Sequence, residues 1–277
     1  MENKAPVSTW LAVFTAAITA AVASAAAGVQ QAKPPVNQPS TASFRVNVHP
    51  LLTRYGCSQG ACHGSAAGRG GLRLSLLGGN PESDYNTLVY SANGRLVAGT
   101  TPDESLLLQK ASGQLNHGGG ERIARGSGAY ATLKAWLETA MPAPLDLDAI
   151  RDIHITTTAS VLQSGKTAIV NVHATTASGA RIAVSHNAIF DSLDDGTATV
   201  SASGTVTAIR PGIARIMVRF GGHTKAIAFT VPLNASPRPL PLPSKTGIID
   251  AEVGQIHQAL RAVPGKRATE ATLLRRL

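Results

Sequence analysis

Apolar and polar positions along this 277-residue chain follow two different rhythms. Between Phe44 and Leu137 most apolar residues recur at helical spacing, while Leu72, Leu74 and Leu76 alternate after the flexible turn Gly68-Arg69-Gly70-Gly71. Phe44, Val48, Leu51, Leu52 and Tyr55 form one group, Leu106, Leu107 and Leu108 a second, and Tyr130, Leu133, Trp136 and Leu137 a third. Such spacing of three to four residues marks the buried face of a helix. Pro50 interrupts or kinks the first helix, because a proline ring clashes with the preceding turn. Thr101-Pro102-Asp103-Glu104 opens the helix that carries Leu106 to Leu108, since proline and acidic residues suit a helix start. Asp84 to Tyr90 is a short helix candidate, and the last helix runs from about Ser127 to Ala140.

From Ile153 to Val231 the period becomes two. Ala168, Val170, Val172 and Ala174 alternate with polar neighbours, as do Ile216, Val218 and Phe220, and then Ile227, Phe229 and Val231. Turn clusters separate these runs at Ser164-Gly165, Ser178-Gly179, Asp194-Asp195-Gly196, Ser203-Gly204, Arg210-Pro211-Gly212 and Gly221-Gly222. Short strands at this spacing predict an antiparallel sandwich. Asp191, Asp194 and Asp195 read as a solvated turn rather than a calcium site.

The flanks read differently. Lys4, an apolar run from Trp10 to Val22 and the small residues Ala23 to Ala27 predict an export signal over 1–27, with a positive start and a small-residue cleavage site. Residues 28–43 are a polar linker with Lys33-Pro34-Pro35, and 141–152 form a short acidic connector. Residues 234–277 hold a Pro-rich spacer, then Ile249, Val253, Ile256 and Leu260 on one helix face and a second helix from Thr269. A segment whose apolar faces have no mate within the chain predicts a truncated helical region.

Candidate chemistry concentrates in Cys57-Ser58-Gln59-Gly60-Ala61-Cys62-His63-Gly64, which contains both cysteines of the chain. Two thiols on one loop can each add to a vinyl group of a haem, with a histidine directly after the second thiol beneath the iron. The common attachment motif has two residues between the cysteines; four stand here. A Cys57–Cys62 disulfide and half of a bare-metal site are the alternatives at this loop. The export signal suits both the haem and the disulfide, and argues against a cytosolic zinc site.

Several residues in order carry a family resemblance: Phe44, Pro50-Leu51-Leu52, Gly60-Ala61-Cys62-His63-Gly64, Gly71 to Leu76, Asp84-Tyr85, Ser105-Leu106-Leu107, His117-Gly118-Gly119 and Trp136-Leu137. Over 44–140 the chain resembles the planctomycete-type cytochrome c domain. The resemblance implies haem c, with iron, held by Cys57 and Cys62 and bound by His63. Many members of that family place a Met-Pro-Pro turn before the closing helix. His117 holds that place here, so the resemblance implies His117 as the distal ligand, with Met141 of Met141-Pro142 as the alternative. Thr199 to Ile209 and Gly212-Ile213-Ala214 resemble the bacterial immunoglobulin-like group 2 domain over 153–233. The tail resembles the opening of a larger domain of unknown function.

The fold class expected is therefore multidomain: a small all-α cytochrome c-like domain, an all-β immunoglobulin-like sandwich and a short helical C-terminal tail. Net charge is +9, from 25 basic and 16 acidic residues. The excess is spread along the chain without aromatic interleaving, which argues against nucleic acid and leaves an acidic redox protein as a fitting partner. No catalytic triad, carboxylate pair or phosphate loop stands in a supporting context, so no catalytic residue and no enzyme activity is assigned. Gly68-Arg69-Gly70-Gly71 lacks the flanking strand and helix of a nucleotide site. The expected function is electron transfer by an exported, periplasmic or envelope-associated haem module. The alternative is a haem-free surface module that contacts carbohydrate or envelope protein through the sandwich.

Overall fold

The computed structural model describes residues 43–234, 247–262 and 268–276. The expected export signal, nearly all of the linker and most of the Pro-rich spacer lie outside the described residues. Pro35–Leu277 makes one compact unit.

A wide helical turn over Phe44–Val48 leads into α1 (His49–Arg54). The N–H of His49 reaches back to the Phe44 carbonyl, a five-residue step that lets the chain enter α1 although Pro50 has no N–H to give. Three further helices follow in this part: α2 (Pro81–Tyr90), α3 (Leu106–Ala111) and α4 (Gly128–Glu138). Each start has a side-chain cap that satisfies an otherwise free N–H. Asn80 Oδ1 accepts from Ser83 N at 3.0 Å, Ser105 Oγ from Leu108 N at 3.3 Å and Ser127 Oγ from Tyr130 N at 3.2 Å. The Asn80 cap starts α2 three residues before the expected Asp84. Thr101 to Leu108 does not form one helix. A single turn over Pro102–Glu104 ends at Ser105, whose ψ of 138° is extended, and α3 begins afterwards.

These helices share a core of Phe44, Val48, Leu51, Leu52, Tyr85, Leu88, Leu108, Ile123, Leu133 and Trp136. Its centre is aromatic. Phe44 lies 5.3 Å from Tyr85, edge to face, and 5.4 Å from Trp136, within the range of favourable ring pairs. The start of the segment is thus tied directly to its closing helix.

The expectation of an all-α cytochrome c-like domain over 44–140 is corrected. The α-helices here have six, ten, six and eleven residues, and much of the segment between them is irregular. Glycines with left-handed φ at Gly68, Gly70, Gly71, Gly78, Gly113, Gly120 and Gly126 hold turns that a helix cannot contain. The fold is a mixed one, in which this irregular helical segment packs against sheets. Ser43 Oγ donates to Asp148 Oδ2 at 2.6 Å, and Arg54 donates to the carbonyls of Ala188 and Ala202.

The second part holds β1 (Ile150–Thr157), β2 (Thr167–Thr176), β3 (Arg181–Ala183), β4 (Ile189–Ser192), β5 (Ala198–Val200), β6 (Thr205–Ala208), β7 (Gly212–Phe220) and β8 (His223–Val231). One antiparallel sheet has the order β1-β2-β6-β5, with β3 on β2, and the other has the order β4-β7-β8. Both line one core, with Val170, Val172 and Ala174 from β2 and Ala214, Ile216 and Val218 from β7 all fully buried. Gly221 and Gly222, both at positive φ, close the β7–β8 hairpin in the conformation that matches strand twist. The tail contains α5 (Ile248–Leu260) and α6 (Glu270–Leu274). On α5, Ile248 and Ile249 are largely exposed.

Phe44→Ala should destabilise the chain by about 3–5 kcal/mol, because the ring joins α4 to the first turn. Urea unfolding monitored by Trp136 fluorescence measures this, and a loss under about 1 kcal/mol would show that the aromatic cluster is peripheral.

Candidate functional site

The Cys57 loop leaves α1 through Gly56, at φ 81°, and is wound by its own main chain. Cys57 N donates to Leu52 O at 2.9 Å, Cys62 N to Gln59 O at 2.9 Å, His63 N to Cys57 O at 3.0 Å and Gly64 N to Gln59 O at 3.0 Å. A Cβ on Gly64 would stand 2.0 Å from the Ser58 carbonyl, so the loop can close only with glycine there. The four residues between the cysteines are taken up by this turn, which leaves both cysteines half-buried as free thiols.

His63 follows directly and is fixed at both ends. Leu74 N donates to its carbonyl at 2.8 Å. Its Nδ1 lies 3.0 Å from Arg69 O and 3.2 Å from Leu72 O. Carbonyls only accept, so Nδ1 carries the proton and the lone pair is left on Nε2. His117, from the loop after α3, repeats the arrangement with Nδ1 3.1 Å from Gly120 O. That loop is anchored by Ile123, which is fully buried and whose N–H donates to Ala111 O at 3.0 Å.

The two imidazoles meet. Their ring centres are 6.0 Å apart and their planes differ by 6°. Imidazole nitrogen binds transition metals at about 2.0–2.1 Å, which puts each ring centre roughly 3 Å from the metal. Two rings bound through Nε2 on opposite sides of one metal would then be about 6 Å apart. Gly118 and Gly120 stand beside His117 with nothing within 4 Å of a Cβ built on either, so the surroundings are open. The ring-centre separation thus matches two imidazoles on opposite sides of one metal, and the open space at Gly118 and Gly120 leaves room beside His117. Among the described residues there is no cluster of three or more His, Cys, Asp or Glu side chains suited to a bare metal ion.

Charge at the site is basic. Arg122 lies beside Gly119 and influences the Cys57 thiol, Arg69 Nη1 donates to Ala61 O at 2.9 Å, and Lys110 Nζ to Asn116 O at 3.1 Å. Burial, and then the neighbouring Cys62, push the Cys57 thiol up to about 11, with Arg122 opposing. Cys57 is thus a neutral thiol at physiological pH, without the depressed pKa of a catalytic nucleophile.

The other candidates lie elsewhere. Met141 stands at φ 52°, its N–H on Trp136 O and its carbonyl accepting from Tyr85 Oη at 2.8 Å, so it ends α4 against the aromatic core. Asp194 caps its own turn, taking Thr197 N and Thr197 Oγ1 at 3.2 and 2.6 Å, while Asp191 pairs with Arg219 at 3.0 Å. A cleft of about 200 Å³ near Pro50, Leu77, Asn187 and Phe220 does not include the histidine pair. Sequence reasoning missed His49. Its Nε2 lies 2.9 Å from Asp84 Oδ2, with both side chains buried. Nothing local in His49-Pro50-Leu51-Leu52 signals a partner 35 residues away.

No protein-family model matches the chain, and no curated relative does. Among solved structures, the chain is similar to the crystal structure of the S-layer protein SbsC at 22% identity, covering 31% of this chain and 15% of that chain, with a TM-score of 0.26. Domains 5-6 of SbsC align at 21% identity over 31% of this chain and 46% of that one, with a TM-score of 0.25. The chain thus spans well under two thirds of either structure. Likeness of this degree fixes neither fold nor function.

Because only the thiolate reacts, iodoacetamide should label Cys57 of the haem-free chain slowly at neutral pH and progressively faster as pH approaches about 11. Peptide mapping separates Cys57 from Cys62. Rapid labelling of Cys57 at neutral pH would mean that its thiol is not held in a buried environment.

Proposed function

We propose that this chain is an exported electron-transfer module that carries haem c. What supports the reading above all is the pair of parallel imidazoles, His63 and His117, with ring centres 6.0 Å apart and both Nδ1 atoms held by carbonyls. His63 would be the proximal and His117 the distal ligand. Cys57 and Cys62, both reduced, would each add across a vinyl group, sulphur to one carbon and the thiol hydrogen to the other. When bound, haem supplies a one-electron couple at iron.

The chain's own residues set the character of that couple. Two histidine ligands would leave no open coordination position, which favours electron transfer over chemistry on oxygen. The Nδ1–H donation from each ring to a carbonyl fixes the tautomer and raises imidazole basicity. Arg69, Lys110 and Arg122 make the surroundings positive, suited to an acidic redox partner. The sandwich would serve as a spacer or envelope contact.

The chain, exported by a host competent for cytochrome maturation, should be red and keep its haem through denaturing electrophoresis. Complete loss of haem on denaturation would remove the covalent claim. Gly64→Ala should abolish attachment, whereas Gly118→Ala, with open space at its Cβ, should leave it intact.

His117→Met should raise the reduction potential, because Met/His ligation favours the reduced state relative to two histidines. Met141→Ala should change neither potential nor spectrum. If Met141→Ala removes the low-spin spectrum and His117→Ala preserves it, the distal assignment is wrong.

A further inference from the structure

The mixed helical segment contains a buried carboxylate–imidazole centre, Asp84 with His49. Asp84 is 1% exposed and His49 3%. Asp84 accepts hydrogen bonds on both oxygens. Ser75 N donates to Oδ1 at 2.6 Å, Ser75 Oγ to Oδ2 at 2.6 Å, and His49 Nε2 to Oδ2 at 2.9 Å. Ser75 Oγ in turn accepts from Asn80 N at 2.9 Å. Gly78, at φ 72°, seals the pair. A Cβ there would lie 2.9 Å from His49 Cε1 and 2.5 Å from Thr53 Oγ1.

This centre joins two kinds of structure. His49 belongs to α1 and Asp84 to the first turn of α2, both parts of the hydrophobic core. Ser75 belongs to an irregular stretch with no strand partner, and that stretch holds the site loop. Leu72 O lies 3.2 Å from His63 Nδ1, Leu74 N donates to His63 O at 2.8 Å, and Leu77 N donates to Ser58 O at 2.9 Å. Leu74 adjoins Ser75 directly. The stretch from Leu72 to Leu77 therefore has its grip on the loop at three points and its own hold on the core through Ser75 and the buried side chain of Leu74. A buried carboxylate with three donors is costly to assemble and costly to break, which makes it a stiff anchor.

We infer that Asp84, buttressed by His49, is a positioning residue that sets the orientation and tautomer of the His63 imidazole through Ser75. Its bearing on a bound iron rests on the proposed haem function; its effect on the imidazole does not. No hydrogen bond joins Asp84 to His63; Asp84 acts through the stretch that Ser75 anchors, of which Leu72 O and Leu74 N contact His63, while Arg69 O is the other acceptor of Nδ1, at 3.0 Å. Outer-shell partners of this kind tune a metal ligand's basicity and orientation.

The test compares Asp84→Asn and Ser75→Ala with Asp103→Asn in the full-length chain. Asp103 accepts from Tyr130 Oη and Lys134 Nζ, both at 2.5 Å, at the α4 side of the same segment. Its substitution is a control for general loosening. In the haem-free chain, nitrogen-15 spectra should show His63 as the Nδ1–H tautomer in the parent and in Asp103→Asn. Asp84→Asn should shift it to a tautomer mixture, and Ser75→Ala should do so to a smaller extent, which keeps the test usable if Asp84→Asn does not fold. In the haem-loaded chain, the low-spin ferric EPR signal reports the angle between imidazole planes and should change in Asp84→Asn but not in Asp103→Asn. A parent-like His63 tautomer in folded Asp84→Asn, or in Ser75→Ala if only that variant folds, overturns the inference. A tautomer shift in a chain that never takes up haem would retain it and sink the proposed function instead.

Discussion

A histidine that gives its Nδ1 proton to a main-chain carbonyl can offer a ligand only Nε2. That constraint operates twice here, at His63 through Arg69 and Leu72 and at His117 through Gly120. Neither ring is free to turn without giving up a hydrogen bond. The orientation of each lone pair is therefore set by the fold, and two loops distant in sequence bring their imidazoles together. Preorganisation of this kind lowers the cost of binding, because the ordering of the side chains is already part of folding. The irregular backbone of the helical segment follows from the same requirement. Carbonyls available to imidazole nitrogens must be free of helix bonding, and turn-rich chain supplies them.

The core and the site impose opposite demands on residues 44–140. Packing Phe44, Tyr85 and Trp136 together calls for helices, since they bring apolar faces into register. Presenting carbonyls of Arg69, Leu72 and Gly120 toward side chains calls for loops. The chain resolves this by keeping helices short and capping α2, α3 and α4 with side chains, so that loops begin and end at fixed points. Left-handed glycines at Gly68, Gly70, Gly71 and Gly120 make those loops tight rather than long. A longer-helix version of the segment would bury more apolar surface but would lose the exposed carbonyls that orient the histidines.

Legibility from sequence divided along the same line. The strands were readable because period-two alternation is local: Val170, Val172, Ile216 and Val218 sit on the core side where their spacing put them. The closing helix was readable from Ser127 and the Tyr130–Trp136 face. The helical class of 44–140 was misread, because helical spacing does not reveal how many turns a capped helix will run. Ser105 illustrates this; its side chain caps α3 and its extended backbone splits the expected helix in two. The buried His49–Asp84 pair left no signal, since a polar residue's burial is decided by partners far along the chain. The juxtaposition of His63 and His117 could be expected only through family resemblance, as spacing alone does not bring two loops together.

The basic surroundings of the site have consequences beyond partner choice. Arg122 is close enough to the Cys57 loop to draw its thiol downward in pKa, yet burial and Cys62 outweigh it. Desolvation dominates because a half-buried sulphur loses its water on most sides, whereas a surface guanidinium acts through solvent that screens it. A neutral Cys57 resists oxidation and disulfide exchange, both of which need thiolate. Packing rather than charge thus keeps the Cys57 thiol neutral. The same positive rim that would attract an acidic partner can then be tolerated next to Cys57 without making it reactive.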